Sequence, residues 1–190
     1  PNVKDKLWMG AKGIDSLRVW CHDSKPVWTW IETTKIGKDS PRKPTPKEVK
    51  TQVWMALIHG AKGIGYFCHS FYPASDEAAL LHDKTMMAAV KEINTQITTL
   101  APVLNGDSKL NYAEVKSSNK NVPIDMMTKN HQNSIYLFAV GMRNEPTEAS
   151  FQINSGKTVE VIGENRTIAI THGQFEDHFE GYDVHIYKIK

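Results

Sequence analysis

Glu32 is the residue in this sequence best placed to do chemistry. It follows the run Pro26-Val27-Trp28-Thr29-Trp30-Ile31 and precedes a loop holding Gly37 and Pro41. The β-branched and aromatic content of 26–33 predicts a strand with Pro26 at its first position, which puts Glu32 near the strand's carboxyl end. In parallel α/β folds the loops at that end carry reactive groups, because the strands and helices beneath hold them rigidly. Side chains alternate along a strand, so Trp28 and Trp30 share a face with Glu32 and could wall a sugar ring or simply pack a core. Such a carboxylate can attack an anomeric carbon and form a covalent glycosyl-enzyme if a second carboxylic acid protonates the leaving oxygen. Retention of configuration places the two carboxyls about 5 to 5.5 Å apart, and inversion needs a wider gap that admits water. The competing reading of Glu32 is a structural ion pair or a solvated surface group.

Other chemistries find little support. The eight histidines form no HExxH, Cys21 and Cys68 form no CxxC, and Gly60-Ala61-Lys62-Gly63-Ile64-Gly65 lacks both the Walker ending and a complete GxGxxG. No serine has a GxSxG setting. The expectation is therefore no metal and no cofactor. Lys+Arg at 23 against Asp+Glu at 21 argues against phosphate-dominated nucleic-acid binding, and no apolar stretch approaches the roughly 20 residues that span a bilayer. The densest basic region, Lys35, Lys38, Arg42, Lys43, Lys47 and Lys50, is interrupted by Asp39 and Glu48. It reads as a solvated loop and helix start, with contact to an anionic polysaccharide as the alternative.

The elements that must position Glu32 fall into two halves. All five tryptophans precede Pro102, with 14 basic and 10 acidic residues, and 9 basic and 11 acidic residues follow. In the first half Thr45-Pro46-Lys47-Glu48 reads as a capping box with proline at the first helical position. The predicted helix carries Val49, Val53, Met55, Ala56 and Leu57 on its apolar face and stops at Gly60. Residues 63–71, Gly-Ile-Gly-Tyr-Phe-Cys-His-Ser-Phe, read as a second buried strand whose glycines permit close approach. His69 and Phe71, with Tyr72 just beyond, then lie at its carboxyl end as candidate substrate contacts. Residues 75–100 read as a long helix broken near His82-Asp83, and residues 8–21 as a helix or loop. Strand, helix, strand, helix without a hairpin signal predicts right-handed parallel crossovers. The second half carries seven short strand candidates, at 111–116, 122–127, 134–142, 149–153, 158–162, 167–172 and 182–189, enough for an antiparallel β-sandwich. The fold class is thus multidomain α/β plus all-β, with domains at 1–101 and 102–190.

Lys25 to Glu32, then Arg42 to Lys50, then His59 to Phe67 together resemble strand seven, the capped helix seven and strand eight of a (β/α)8-barrel glycoside hydrolase of the retaining β-galactosidase/cellulase-like superfamily. The stretch 175–187 is similar to the last strands of the β-sandwich joined to such barrels. The resemblance implies a last quarter of a TIM barrel followed by the sandwich, with Glu32 as the nucleophile. It also implies that the acid/base belongs to strand four, which this chain lacks. Asn144-Glu145, between Met142-Arg143 and Pro146, reads as a turn and cannot stand in for it. A complete barrel takes about 250 residues, so a companion polypeptide or fragment is expected to supply strands one to six.

The resulting expectation is a portion of a retaining O-glycoside hydrolase acting on polysaccharide or oligosaccharide. Glu32 is catalytic, and Trp28, Trp30, His69, Phe71 and Tyr72 are substrate-binding. Secretion or periplasmic export suits polysaccharide hydrolysis, although no signal peptide stands in the given residues. The competing readings are a non-catalytic carbohydrate-binding or structural module and a catalytically dead barrel homologue.

Overall fold

A computed structural model describes residues 6–190. They separate into two compact units, one ending at Ile97 and the other running from Thr98 to Lys190. The first unit contains α1 (Trp8–Trp20), β1 (Trp28–Glu32), α2 (Pro46–Ile58), β2 (Gly63–Phe67), α3 (Ala79–His82) and most of α4 (Lys84–Leu104). β1 and β2 pair in parallel, from Trp28 opposite Gly63 to Glu32 opposite Phe67, as the helical crossover between them requires. They make a two-stranded sheet, and the described residues close no barrel.

The expected capping box starts α2. Thr45 Oγ1 accepts from the Glu48 N–H at 3.2 Å, and the Glu48 carboxylate accepts from the Thr45 N–H at 2.7 Å. Arg42 grips the same carboxylate with two bonds of 2.7 and 2.6 Å and holds its pKa below the usual range. Val49 and Val53 of α2 then bury against Ile31 of β1 together with Leu80, Met86, Val90 and Ile93. The helix stops where Gly60 turns into the left-handed region at φ +93°. The expected break in the following helix is present: Asp83 lies between α3 and α4 and its carboxylate accepts from the Met86 N–H at 3.1 Å, so Asp83 ends one helix by capping the next. Residues 8–20 form a helix with only Ala11 and Ile14 buried.

The second unit has eight strands where sequence periodicity predicts seven. They are β3 (Ala113–Ser117), β4 (Ile124–His131), β5 (Ser134–Gly141), β6 (Thr147–Ile153), β7 (Thr158–Val161), β8 (Arg166–Ala169), β9 (Gln174–Phe179) and β10 (Val184–Ile189). One sheet runs β4-β5-β10-β7-β8 and the other β3-β6-β9, antiparallel throughout. Residues of both sheets share one core, including Leu137, Val159 and Tyr187 from the first and Ala149, Phe151 and Phe175 from the second. Asn144-Glu145 lies outside the strands, between β5 and β6.

The additional strand is β9, and a buried charge hides it. Asp177 occupies an alternation position between Phe175 and Phe179, where the strand pattern calls for an apolar residue. Arg166 makes two bonds of 2.8 Å to its carboxylate and the Tyr187 hydroxyl donates a third at 2.8 Å. Burial pushes the Asp177 carboxyl up, but these partners outweigh it and its pKa lies below the usual range. Burial first, then the neighbouring Asp177 charge, pushes the Tyr187 phenol up. Cys21 and Cys68 are free thiols, and no helix among the described residues is long and apolar enough to cross a membrane.

Candidate functional site

The two faces of the β1–β2 sheet differ in kind. Ile31, Ile64 and Tyr66 face the helices, where the Tyr66 hydroxyl donates to Asn94 at 2.9 Å and burial pushes its pKa up to about 12. The opposite face carries Trp28, Trp30 and Glu32 on β1 beside Gly63, Gly65 and Phe67 on β2, by the parallel register and the strand period. The glycines are a shelf for the indoles. A Cβ at Gly63 would fall 2.3 Å from Trp28 Cδ2, and one at Gly65 would fall 2.6 Å from Trp30 Cε3, so each ring lies directly against a glycine backbone. Among the described residues Trp28 is nevertheless 66% exposed and Trp30 73%.

Glu32 closes this row at the carboxyl end of β1. Its carboxyl is half-buried, no described residue supplies it with a hydrogen bond or ion pair, and desolvation raises its pKa. A partly dried carboxylate with a raised pKa is not held in a structural ion pair, since such pairs lower carboxyl pKa values.

Beyond the strands the two chains stay fastened, but by side chains. β2 ends at Phe67, four residues short of the sequence expectation, and its half-exposed residues correct the reading of a buried strand. From there the Thr33 hydroxyl donates to the Phe67 carbonyl at 2.8 Å, Thr34 to the His69 carbonyl at 2.7 Å, and Ser70 to the Lys35 carbonyl at 2.7 Å. The Phe71 N–H donates to the Ile36 carbonyl at 2.8 Å. Thr33 and Thr34 are buried, so their two bonds are shielded from water, and the four bonds together tie the segments past Glu32 into a ledge. On the ledge, Phe71 and Tyr72 are exposed at 56% and 40%. The His69 ring stacks on Phe71 with centroids 4.0 Å apart, and its Nε2 meets Ser75 Oγ at 3.0 Å. Lys35 Nζ stands 5.3 Å from the centre of the Tyr72 ring.

Every candidate named from the sequence thus lies on β1 or on the segment that follows β2, though His69 braces Phe71. Sequence reasoning passed over Thr33 and Thr34, whose signal is a pair of hydroxyls directly after a strand-ending carboxylate. Four basic residues lie between β1 and α2, and two have structural partners: Arg42 holds Glu48, and Lys43 pairs with Asp83. No group of three or more His, Cys, Asp or Glu among the described residues is arranged to hold a metal ion. The arrangement can stack a planar or sugar ring on its indoles and present a carboxylate to it, but it contains no second carboxylate in the row.

Comparison with known proteins finds fold similarity only. No protein-family model matches the sequence, and no curated protein does. Among solved structures, the α-amylase from Geobacillus thermoleovorans complexed with acarbose superimposes with a TM-score of 0.63 at 12% identity over 97% of this chain and 46% of that one. An Anoxybacillus α-amylase gives 0.63 at 12% identity, over 96% and 45%. A cyclomaltodextrinase gives 0.61 at 11%, over 88% and 30%. The chain spans less than half the length of these structures, and it shares the architecture of α/β followed by β-sandwich that they carry.

Proposed function

We propose that this chain is part of a retaining O-glycoside hydrolase acting on polysaccharide or oligosaccharide, with Glu32 as the nucleophile. In this reading β1 and β2 are strands seven and eight of a (β/α)8 barrel. The observation that carries the proposal is the Glu32 carboxyl, partly dried and without a partner among the described residues, at the carboxyl end of a parallel strand on the face of two indoles. Similarity to barrel-plus-sandwich hydrolases at TM-scores of 0.61 to 0.63 supports the architecture.

A Glu32 oxygen attacks the anomeric carbon as the bond to the leaving oxygen breaks, and an acid from another barrel strand protonates that oxygen. Water, deprotonated by the same acid/base, then releases the sugar and regenerates the carboxylate. Raised basicity through desolvation suits a nucleophile that must give up little solvation on attack. The missing acid/base and both unpaired edges of the β1–β2 sheet are supplied by the remaining strands, from a companion polypeptide or from the same longer chain.

The substrate's linkage is a separate question. The matched structures are α-amylases and a cyclomaltodextrinase by name, whereas the sequence resembles a superfamily that cleaves β-linked sugars. The test is Glu32→Gly in the assembled enzyme, assayed on a panel of α-glucans and β-glycans with and without azide. Turnover should fall on the order of a thousandfold or more, and azide should restore part of it by taking the nucleophile's place. Near-normal turnover would reject the role. The second reading, a non-catalytic carbohydrate-binding module, is favoured by the exposed indole pair alone, and sugar binding that persists in an assembly devoid of turnover would support it.

A further inference from the structure

The ledge beyond Glu32 combines an aromatic surface already expected to meet substrate with a cation that the hydrolase reading does not use. The surface, Phe71 and Tyr72, stands on four inter-loop hydrogen bonds and is braced by the His69 ring. The cation is Lys35, whose ammonium lies 5.3 Å from the Tyr72 ring centre. Three neighbouring charges have partners of their own. Arg42 and Lys43 hold Glu48 and Asp83, and Asp76 is taken by His82 at 2.9 Å and by the Ala78 N–H at 2.9 Å. Lys35 has no carboxylate partner among the described residues. Its backbone carbonyl accepts from Ser70 Oγ, which anchors the point from which the side chain reaches Tyr72.

An ammonium beside an aromatic face is a recognition pair for a ring that bears a carboxylate. The ring's C–H face stacks on the aromatic surface while its anion meets the cation. We propose that this ledge binds a uronic acid unit, Lys35 meeting the sugar carboxylate and Phe71 and Tyr72 supporting the ring, so that the substrate is an acidic polysaccharide. This rests on the glycan-processing reading of the Glu32 site and names its substrate class.

The experiment is calorimetric titration of the full chain with trigalacturonate, trimannuronate and a glucuronate-substituted xylotetraose, each against its carboxyl-reduced counterpart. At least one acidic ligand should bind on the order of tenfold more tightly than its neutral counterpart, the scale of one charge-assisted hydrogen bond, and the preference should shrink as ionic strength rises. Lys35→Met keeps the aliphatic stem over Tyr72 and should bring each pair to parity, whereas Lys38→Met should leave the preference in place. Phe71→Ala should weaken the acidic and neutral ligands alike. Equal affinity within every pair, or a preference that survives Lys35→Met, overturns the uronate assignment while leaving glycan binding intact. Failure of all six ligands to bind also overturns the uronate assignment, whereas the Glu32 reading falls only with the turnover assay.

Discussion

Replacing Gly65 by alanine separates the tryptophan platform from the fold that carries it. The new Cβ would lie 2.6 Å from Trp30 Cε3 and 2.7 Å from Cζ3, where carbon atoms normally approach to about 3.5 Å, so the indole must lift by about 1 Å. No described residue covers the ring, which is 73% exposed. Gly65 is not among the positive-φ glycines, so alanine introduces no backbone strain. The lost ring contacts are offset by the smaller entropy of the unfolded chain, and stability should stay within about 1 kcal/mol of the original. Binding should suffer instead. An indole freed from its shelf must be ordered again by each ligand, at about 0.5 to 1.5 kcal/mol, which weakens sugar affinity roughly 2- to 12-fold. Urea melts give the stability. Acrylamide quenching of tryptophan emission, with Trp30→Phe as the subtraction control, should report a more accessible ring. In a Trp30→Ala background Gly65→Ala should have no effect on affinity. An undiminished effect in that background would show that Gly65 acts by some route other than supporting the indole.

Three further outcomes follow from the other named groups. Glu32 has a raised pKa in the folded chain, so its contribution to stability is fully present below the unfolded value near 4.3 and is lost as pH rises through the folded value. Glu32→Gln should therefore be more stable than the original at pH 7 in chemical denaturation, with the difference closing at low pH. Thr45→Ala removes the hydroxyl that accepts from Glu48 N–H and should cost about 1 kcal/mol in the same assay. Asp177→Ala strands the buried Tyr187 hydroxyl and one grip of Arg166. The loss should be about 3 kcal/mol, at the low end for breaking a buried pair because the Arg166 side chain is 35% exposed. Because the Asp177 pKa is depressed, the pair's contribution is present above the unfolded carboxyl value and disappears as pH falls through the folded one, which a melt series across acid pH would register.

Local rules made most of the first unit legible. Thr45-Pro46-Lys47-Glu48 specifies its helix start through bonds internal to four residues, and the break at His82-Asp83 is visible because aspartate is a capping residue. β1 was equally readable, its Trp-Thr-Trp-Ile-Glu alternation sorting Ile31 to the helices and the indoles to the other face. The end of β2 was not. Residues 68–71 have strand-like composition, yet buried threonines more than thirty positions away take over their pairing, and no local pattern announces such a partner. β9 failed for a related reason: Asp177 breaks the apolar period, and the cation that makes it tolerable comes from another strand. Whether Glu32 acts on a sugar depends on a second carboxyl that local patterns in these residues do not supply.

The trio of Arg166, Asp177 and Tyr187 comes from β8, β9 and β10, and so from both layers of the sandwich. If β9 threaded one position out of step, Glu176 or His178 would turn toward the guanidinium, and Phe175 and Phe179 would swing out into water. In the native alignment the ionic clasp and the apolar period agree, since Asp177 meets Arg166 at the same register that buries Phe175 and Phe179. A slip that kept a carboxylate on Arg166 through Glu176 would still send both aromatic rings into water, so ion pair and apolar period together set the threading of β9.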